Sequence, residues 1–102
     1  MTQPQTLTLP AKERLILDLL VAHGSLYGLE LVERSAGALK RGTVYVTLGR
    51  MEAKGFVTSE REDLPEGAIG LPRRHYRATG LGERALRAWS TLAAELRLVV
   101  QP

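Results

Sequence analysis

Between Leu39 and Thr58 the chain reads LKRGTVYVTLGRMEAKGFVT. Up to Lys54 the apolar residues recur at helical spacing, and beyond Gly55 the content becomes β-branched and aromatic. A short basic helix must therefore run directly into a strand. Stepping about 100° per residue places Val44, Leu48 and Met51 in one narrow apolar stripe with Gly55 beside it. Thr43, Val46, Thr47, Arg50 and Lys54 gather on the other side. Hydroxyls, one small apolar group and two long cations are the residue types that read a DNA major groove. Double-stranded DNA is the partner this face predicts.

The flanking sequence supplies the remaining elements. Residues 1–9 are polar and are expected to form a flexible N-terminus. Pro10 suits the first turn of a helix, and Leu15, Ile16, Leu19 and Leu20 continue it to about residue 22. His23-Gly24 ends it. Ser25 is the expected cap of a second helix over about 26–36, which buries Leu29, Leu31 or Val32 before Gly37 stops it. Lys40-Arg41-Gly42 opens the third helix and Gly55 ends it. Phe56–Arg61 reads as a strand, residues 63–72 as a breaker-rich loop, and Arg73–Ala78 as the returning strand of a hairpin. Thr79 caps a last helix that runs to about residue 99. The expected fold is mostly α with a small β-hairpin. It comprises a winged helix-turn-helix over 10–78 and a C-terminal dimerisation helix over 79–100.

Composition narrows the function. At 102 residues the chain makes one domain with a modest core, and an aromatic content of 5% leaves aliphatic side chains to fill it. The absence of cysteine removes disulfides, thiolate metal sites and cysteine nucleophiles. With His23 and His75 as the only histidines, no metal site is expected, and no cofactor either. No apolar run approaches the roughly 20 residues that cross a membrane. The first ten residues, MTQPQTLTLP, lack the regions of a signal peptide, so a cytoplasmic protein is expected. The net charge of +3 is modest, but it is unevenly spread. Lys12 and Arg14 face four acids in residues 1–33. Arg34, Lys40, Arg41, Arg50, Lys54 and Arg61 face only Glu52 and Glu60 in residues 34–61. A basic sector on a small domain suits a phosphate-backbone partner.

Three blocks in order resemble the PadR family of bacterial transcriptional regulators. Ile16–Leu20 through Gly24, Tyr27-Gly28 and Glu30-Leu31 looks like the family's first two helices. Gly42–Tyr45 through Leu48, Arg50–Glu52 and Gly55–Val57 is similar to its recognition helix and first wing strand. Pro72–Thr79 with Gly82 is similar to its second wing strand and the start of its last helix. The resemblance implies a homodimeric, DNA-binding repressor. Val46 stands where the family usually has proline, and Leu29 where it usually has an aromatic residue.

On this reading Arg50 pairs with guanine, Thr43 or Thr47 reaches a base edge or a phosphate, and Val46 packs on a thymine methyl. Lys40 and Arg41 lie at the helix N-terminus, where backbone N–H groups also favour phosphate. Tyr45, about 100° from the apolar stripe, either touches phosphate through its hydroxyl or packs at the domain rim. Lys54 completes the outward face. Arg73 and Arg74, near the wing tip, are the expected contacts to the adjacent backbone or minor groove. Along the last helix Leu81, Ala85, Trp89, Leu92, Leu96 and Val99 recur at three- and four-residue spacing. A helix of about 30 Å exceeds what the domain can cover, so a two-fold dimer through this seam is expected. Leu15 and Leu19 of the first helix are placed in the same interface, as the family implies. The resemblance also raises a small aromatic effector, with Trp89 as its candidate contact or as simple interface packing. The alternative to DNA is a winged-helix module for protein–protein interaction. An enzyme is not expected, because no base, nucleophile or phosphate loop accompanies the acids around the wing.

Overall fold

The computed structural model describes residues 9–64, 66, 67, 70 and 73–100, the last three as backbone. Helix α1 spans Ala11–His23, followed by a two-residue strand β1 at Leu26–Tyr27. Helices α2 (Gly28–Arg34) and α3 (Arg41–Ala53) come next. Strands β2 (Val57–Arg61) and β3 (Arg74–Ala78) precede α4 at Gly80–Val100.

The helix-to-strand junction forms as the sequence predicts. Val44, Leu48 and Met51 are buried, and Phe56 and Val57 follow them into the same core. The interior is aliphatic, built from Ile16, Leu17 and Leu20 of α1, Leu31 of α2 and these residues of α3 and β2. Of the three candidates on α2, Leu31 is fully buried, Val32 packs at the edge and Leu29 is exposed. Leu9, expected in the flexible N-terminus, is instead a core residue. Residues 1–8, the remainder of the expected N-terminal segment, lie outside the described residues.

Three expectations need correction. The sheet has three strands in the order β1-β3-β2, not the two of a simple hairpin. Leu26 and Tyr27 pair antiparallel with Tyr76 and His75. Two residues carry too little pattern to announce a strand, and only a partner 50 positions away makes them one. Ser25, for the same reason, does not cap α2. Its hydroxyl lies 2.9 Å from His75 Nδ1 across the sheet. Glu30 instead reaches back, accepting the Tyr27 backbone N–H at 2.9 Å, which secures the start of the helix. Helix α2 is consequently shorter than the 26–36 expected.

The wing strands pair from Val57↔Ala78 to Arg61↔Arg74, and Glu62 N–H donates to the Arg73 carbonyl at 2.7 Å beyond them. Pro65, Ala68, Ile69, Leu71 and Pro72 of the wing loop lie outside the described residues. Thr79 caps α4 as expected, accepting the Gly82 N–H at 3.0 Å, and its own hydroxyl donates to the Gly55 carbonyl. Gly82 explains itself here. A Cβ at that position would run into the Phe56 backbone carbonyl, so glycine lets α4 start flush against the turn into β2.

Candidate nucleic-acid interface

Helix α3 carries the basic face because its first turn holds no acid and its apolar stripe is turned wholly inward. Thr43, Val46 and Arg50 are exposed, and Thr47 is half-buried. The Thr47 hydroxyl donates to the Thr43 carbonyl at 3.2 Å, a back-bond that satisfies it within the helix. Val46, at 56%, is the most exposed of the large apolar side chains among the described residues. Lys40 and Arg41 stand exposed at the helix start, where free backbone N–H groups add their own positive potential.

Tyr45, Arg73 and Arg74 come together although 28 residues of chain separate them. With Tyr27, Leu29, Glu30, Glu33 and Tyr76 they line one cleft of about 560 Å³ between α2, α3 and the wing. Tyr45 is half exposed, and its ring lies directly on Gly28, where a Cβ would collide with it. The first residue of α2 thus has no side chain because the α3 tyrosine needs the space. Arg74 donates to Ser59 Oγ at 3.2 Å, and Ser59 donates to Glu52 Oε2 at 2.9 Å. This chain ties the wing to the second half of α3. The Arg73 guanidinium sits 5.1 Å from the centre of the Tyr27 ring.

Lys54 departs from the expected outward set. Its Nζ lies 2.9 Å and 3.1 Å from the two carboxylate oxygens of Glu13 and 5.8 Å from the centre of the Phe56 ring. Glu13 is only 4% exposed, and a buried carboxylate draws in any cation within reach. The long lysine stem carries its ammonium to α1, although the residue itself remains exposed.

Two tyrosines are held neutral. The hydrogen bond from Tyr27 to Glu62, aided by burial, raises its phenol above the ordinary value. Burial, with the Glu52 charge nearby, does the same for Tyr76. Among the described residues no group of three or more His, Asp and Glu side chains is placed to hold a metal. No helix among them is long and apolar enough to cross a membrane.

A small three-stranded sheet whose β2–β3 wing stands beside an exposed basic helix is the arrangement found in known regulators. The Transcriptional regulator PadR-like family matches residues 16–88, well over half of the chain. The chain belongs to the PadR-like family. Members of this family are transcriptional regulators, not enzymes. A PadR family transcription regulator from Clostridium difficile is similar at 27% identity, with 88% of this chain and 94% of that one covered and a TM-score of 0.73. A PadR family transcriptional regulator from Eggerthella lenta is similar at 28% identity, covering 87% of this chain and 81% of its own, with a TM-score of 0.64. Bacillus subtilis PadR, solved in complex with operator DNA, shares the fold at 23% identity and a TM-score of 0.67. That likeness covers 80% of this chain and 48% of that one. No curated protein matches the chain.

In this PadR-like regulator the expected dimer seam divides. Ala85 is buried, and Leu86 and Trp89 pack on the core with Leu15 and Leu19 of α1. Trp89 faces the Arg14 guanidinium, 4.8 Å from its ring centre. Leu81, Leu92 and Leu96 are 41%, 50% and 51% exposed, and the Val99 side chain lies outside the described residues. The described cleft is not at Trp89 but at the wing. Two contributors escaped sequence reasoning. Arg61 of β2 is paired directly opposite Arg74 of β3, which strand pairing alone could have revealed. Tyr27 touches Glu62, Arg73 and His75, and no local pattern marks it.

Proposed function

We propose that this PadR-like regulator is a DNA-binding homodimer that represses transcription from a palindromic operator. Helix α3 enters the major groove, and Arg73 and Arg74 lie on the adjacent backbone or minor groove. The observation that carries this reading is the outward face of α3. Exposed Val46 and Arg50 stand one turn apart, opposite the buried Val44, Leu48 and Met51. An exposed valine beside an arginine has no role in the core of this chain, but it matches a thymine methyl next to a guanine edge. Thr43 and Thr47 add base or phosphate contacts. Lys40, Arg41 and Tyr45 serve the backbone. Lys54, engaged with Glu13, is left out of the contact set.

The dimer reading rests on Leu81, Leu92 and Leu96, an exposed apolar row on a single helix. Such a row is the usual mark of a covered surface, and a two-fold axis would set two copies of α3 about 34 Å apart for two half-sites. A small aromatic effector at Trp89 and a cytoplasmic location belong to the same proposal. The test is selection of bound sequences from random duplex DNA at fixed salt. A two-fold symmetric motif that the protein binds, and that lowers transcription when placed over a promoter, is the expected result. Enrichment of no sequence would overturn it.

A further inference from the structure

We infer that Tyr27 is a positioning residue for the wing: its one side chain grips both wing strands at their loop ends and so sets how Arg73 and Arg74 stand relative to α3. The consequence for DNA rests on the function proposed above, whereas the grip itself is a property of the free protein.

Tyr27 is the last residue of β1, immediately before α2. Its backbone is fixed twice, by pairing opposite His75 and by the Glu30 carboxylate on its N–H. From that fixed point the side chain makes three contacts. The phenol donates to Glu62 Oε2 at 2.7 Å, one residue past the end of β2. The ring carries the Arg73 guanidinium at 5.1 Å, one residue before β3. The ring edge also meets His75 at 6.2 Å with the planes at 90°. Glu62 and Arg73 are the pair at which the ladder ends, joined by the Glu62 N–H to Arg73 carbonyl bond. The contacts therefore fall where the two strands run into the wing loop.

Beyond the β1 pairing at Tyr76 and His75, the end of the β2–β3 ladder has only its own two strands to hold it, and an isolated two-stranded segment is marginally stable. Tyrosine suits such a site, since its rigid ring fixes two partners at the cost of two side-chain torsions. The next residue, Gly28, seats the Tyr45 ring of α3. One dipeptide at the start of α2 thus holds the wing on one side and the DNA-facing helix on the other.

The test uses the full chain, labelled with ¹⁵N, with Tyr27→Phe removing the hydroxyl and Tyr27→Leu removing the ring as well. In the free protein, Tyr27→Leu should lower the backbone order parameters of Arg61, Glu62, Arg73 and Arg74 from about 0.85 to below about 0.6. Those of α3 should stay unchanged, and Tyr27→Phe should fall between. If Tyr27→Leu does not fold, Glu62→Ala and Arg73→Gln each remove one contact and take its place in the test. Unchanged order parameters in the folded variants would overturn the grip. On the selected duplex, Tyr27→Leu should bind about tenfold more weakly with a shallower salt dependence, because wing phosphates are lost from the contact set. A loosened wing with unchanged affinity and salt slope would overturn the positioning role. If the native protein bound no duplex, the function proposed above would fail, and the order parameters would still decide whether Tyr27 holds the wing.

Discussion

Lys54 Nζ lies 2.9 Å from Glu13 Oε1, joining the C-terminal end of α3 to the first turn of α1. The two partners are unequal, with side-chain exposures of 34% for Lys54 and 5% for Glu13. Removing either leaves the other, but only one orphan can regain water. Lys54→Ala strands a buried carboxylate and should cost about 2–4 kcal/mol, somewhat below the range for fully buried pairs because the lysine end is partly hydrated. Glu13→Ala frees a lysine that can swing into solvent and should cost about half as much. Urea denaturation of the two variants and the double variant checks the asymmetry. Equal losses would show that the carboxylate is not desolvated.

The glycines at the start of α4 give a sharper contrast. A Cβ at Gly82 would meet the Phe56 carbonyl, a backbone atom that cannot step aside, whereas nothing lies within 4 Å of one at Gly80. Gly82→Ala should destabilise by about 2–3 kcal/mol, as overpacking does. Gly80→Ala should be neutral or stabilising by up to about 1 kcal/mol, since it only restricts the unfolded chain. Thermal unfolding of both proteins checks the pair.

These two cases mark how far the sequence could be read. The inward stripe of α3, the turn at Gly55 and the Thr79 cap were legible because each depends on residues within a turn or two of one another. Strand β1, the Ser25–His75 contact and the Tyr27–Glu62 bond were not, since each joins positions 35 to 50 residues apart. The Lys54–Glu13 pair was not legible for another reason. Helical angle fixes where its Cβ points, but four methylenes let the ammonium choose, and a buried acid on α1 outbid solvent. Tyr45, Arg73 and Arg74 were each singled out separately in the sequence. That they line a single cleft was not.

Arg50→Ala should lower affinity for the selected site by about 1–3 kcal/mol and relax preference at one base position, with little change on unrelated DNA. Arg41→Ala, at the start of α3, should weaken both alike and reduce the salt slope by about one phosphate. Fluorescence anisotropy across a salt series separates the two behaviours. If Arg50→Ala bound selected and unrelated duplexes with the same proportional loss, base reading by α3 would be excluded.

Raised phenol pKa values make an alkaline prediction. Tyr27 donates to the Glu62 carboxylate and Tyr76 is buried, so both ionise above the ordinary value of 10.0 in the folded chain. A group whose folded value lies above its unfolded one contributes stability that is complete below the unfolded value. That contribution is lost as pH rises through the folded value. The melting temperature should therefore fall as pH passes above about 10, and absorbance near 295 nm should show tyrosines ionising late. Tyr27→Phe should remove one late-titrating phenol and leave the Tyr76 step. A titration in which all tyrosines ionise together near the ordinary value would contradict the Glu62 bond.

The exposed row on α4 sets the last test. Leu92 and Leu96 are half exposed and lie beyond Trp89, the last large apolar side chain of α4 among the described residues that packs on this chain's own core. A substitution there cannot unpack the monomer, so its effect should fall on association alone. Leu92→Asp places a charge in the proposed seam and should shift sedimentation from dimer to monomer while leaving the circular dichroism spectrum intact. Trp89→Ala is the contrasting variant. It removes the ring beneath Arg14 and packing against α1, so it should lower the melting temperature by several degrees whether or not a dimer forms. Monomeric sedimentation of the native chain at tens of micromolar would remove the dimer. The two half-sites would then need two independent binding events, and affinity for a palindrome would equal that for a single half-site.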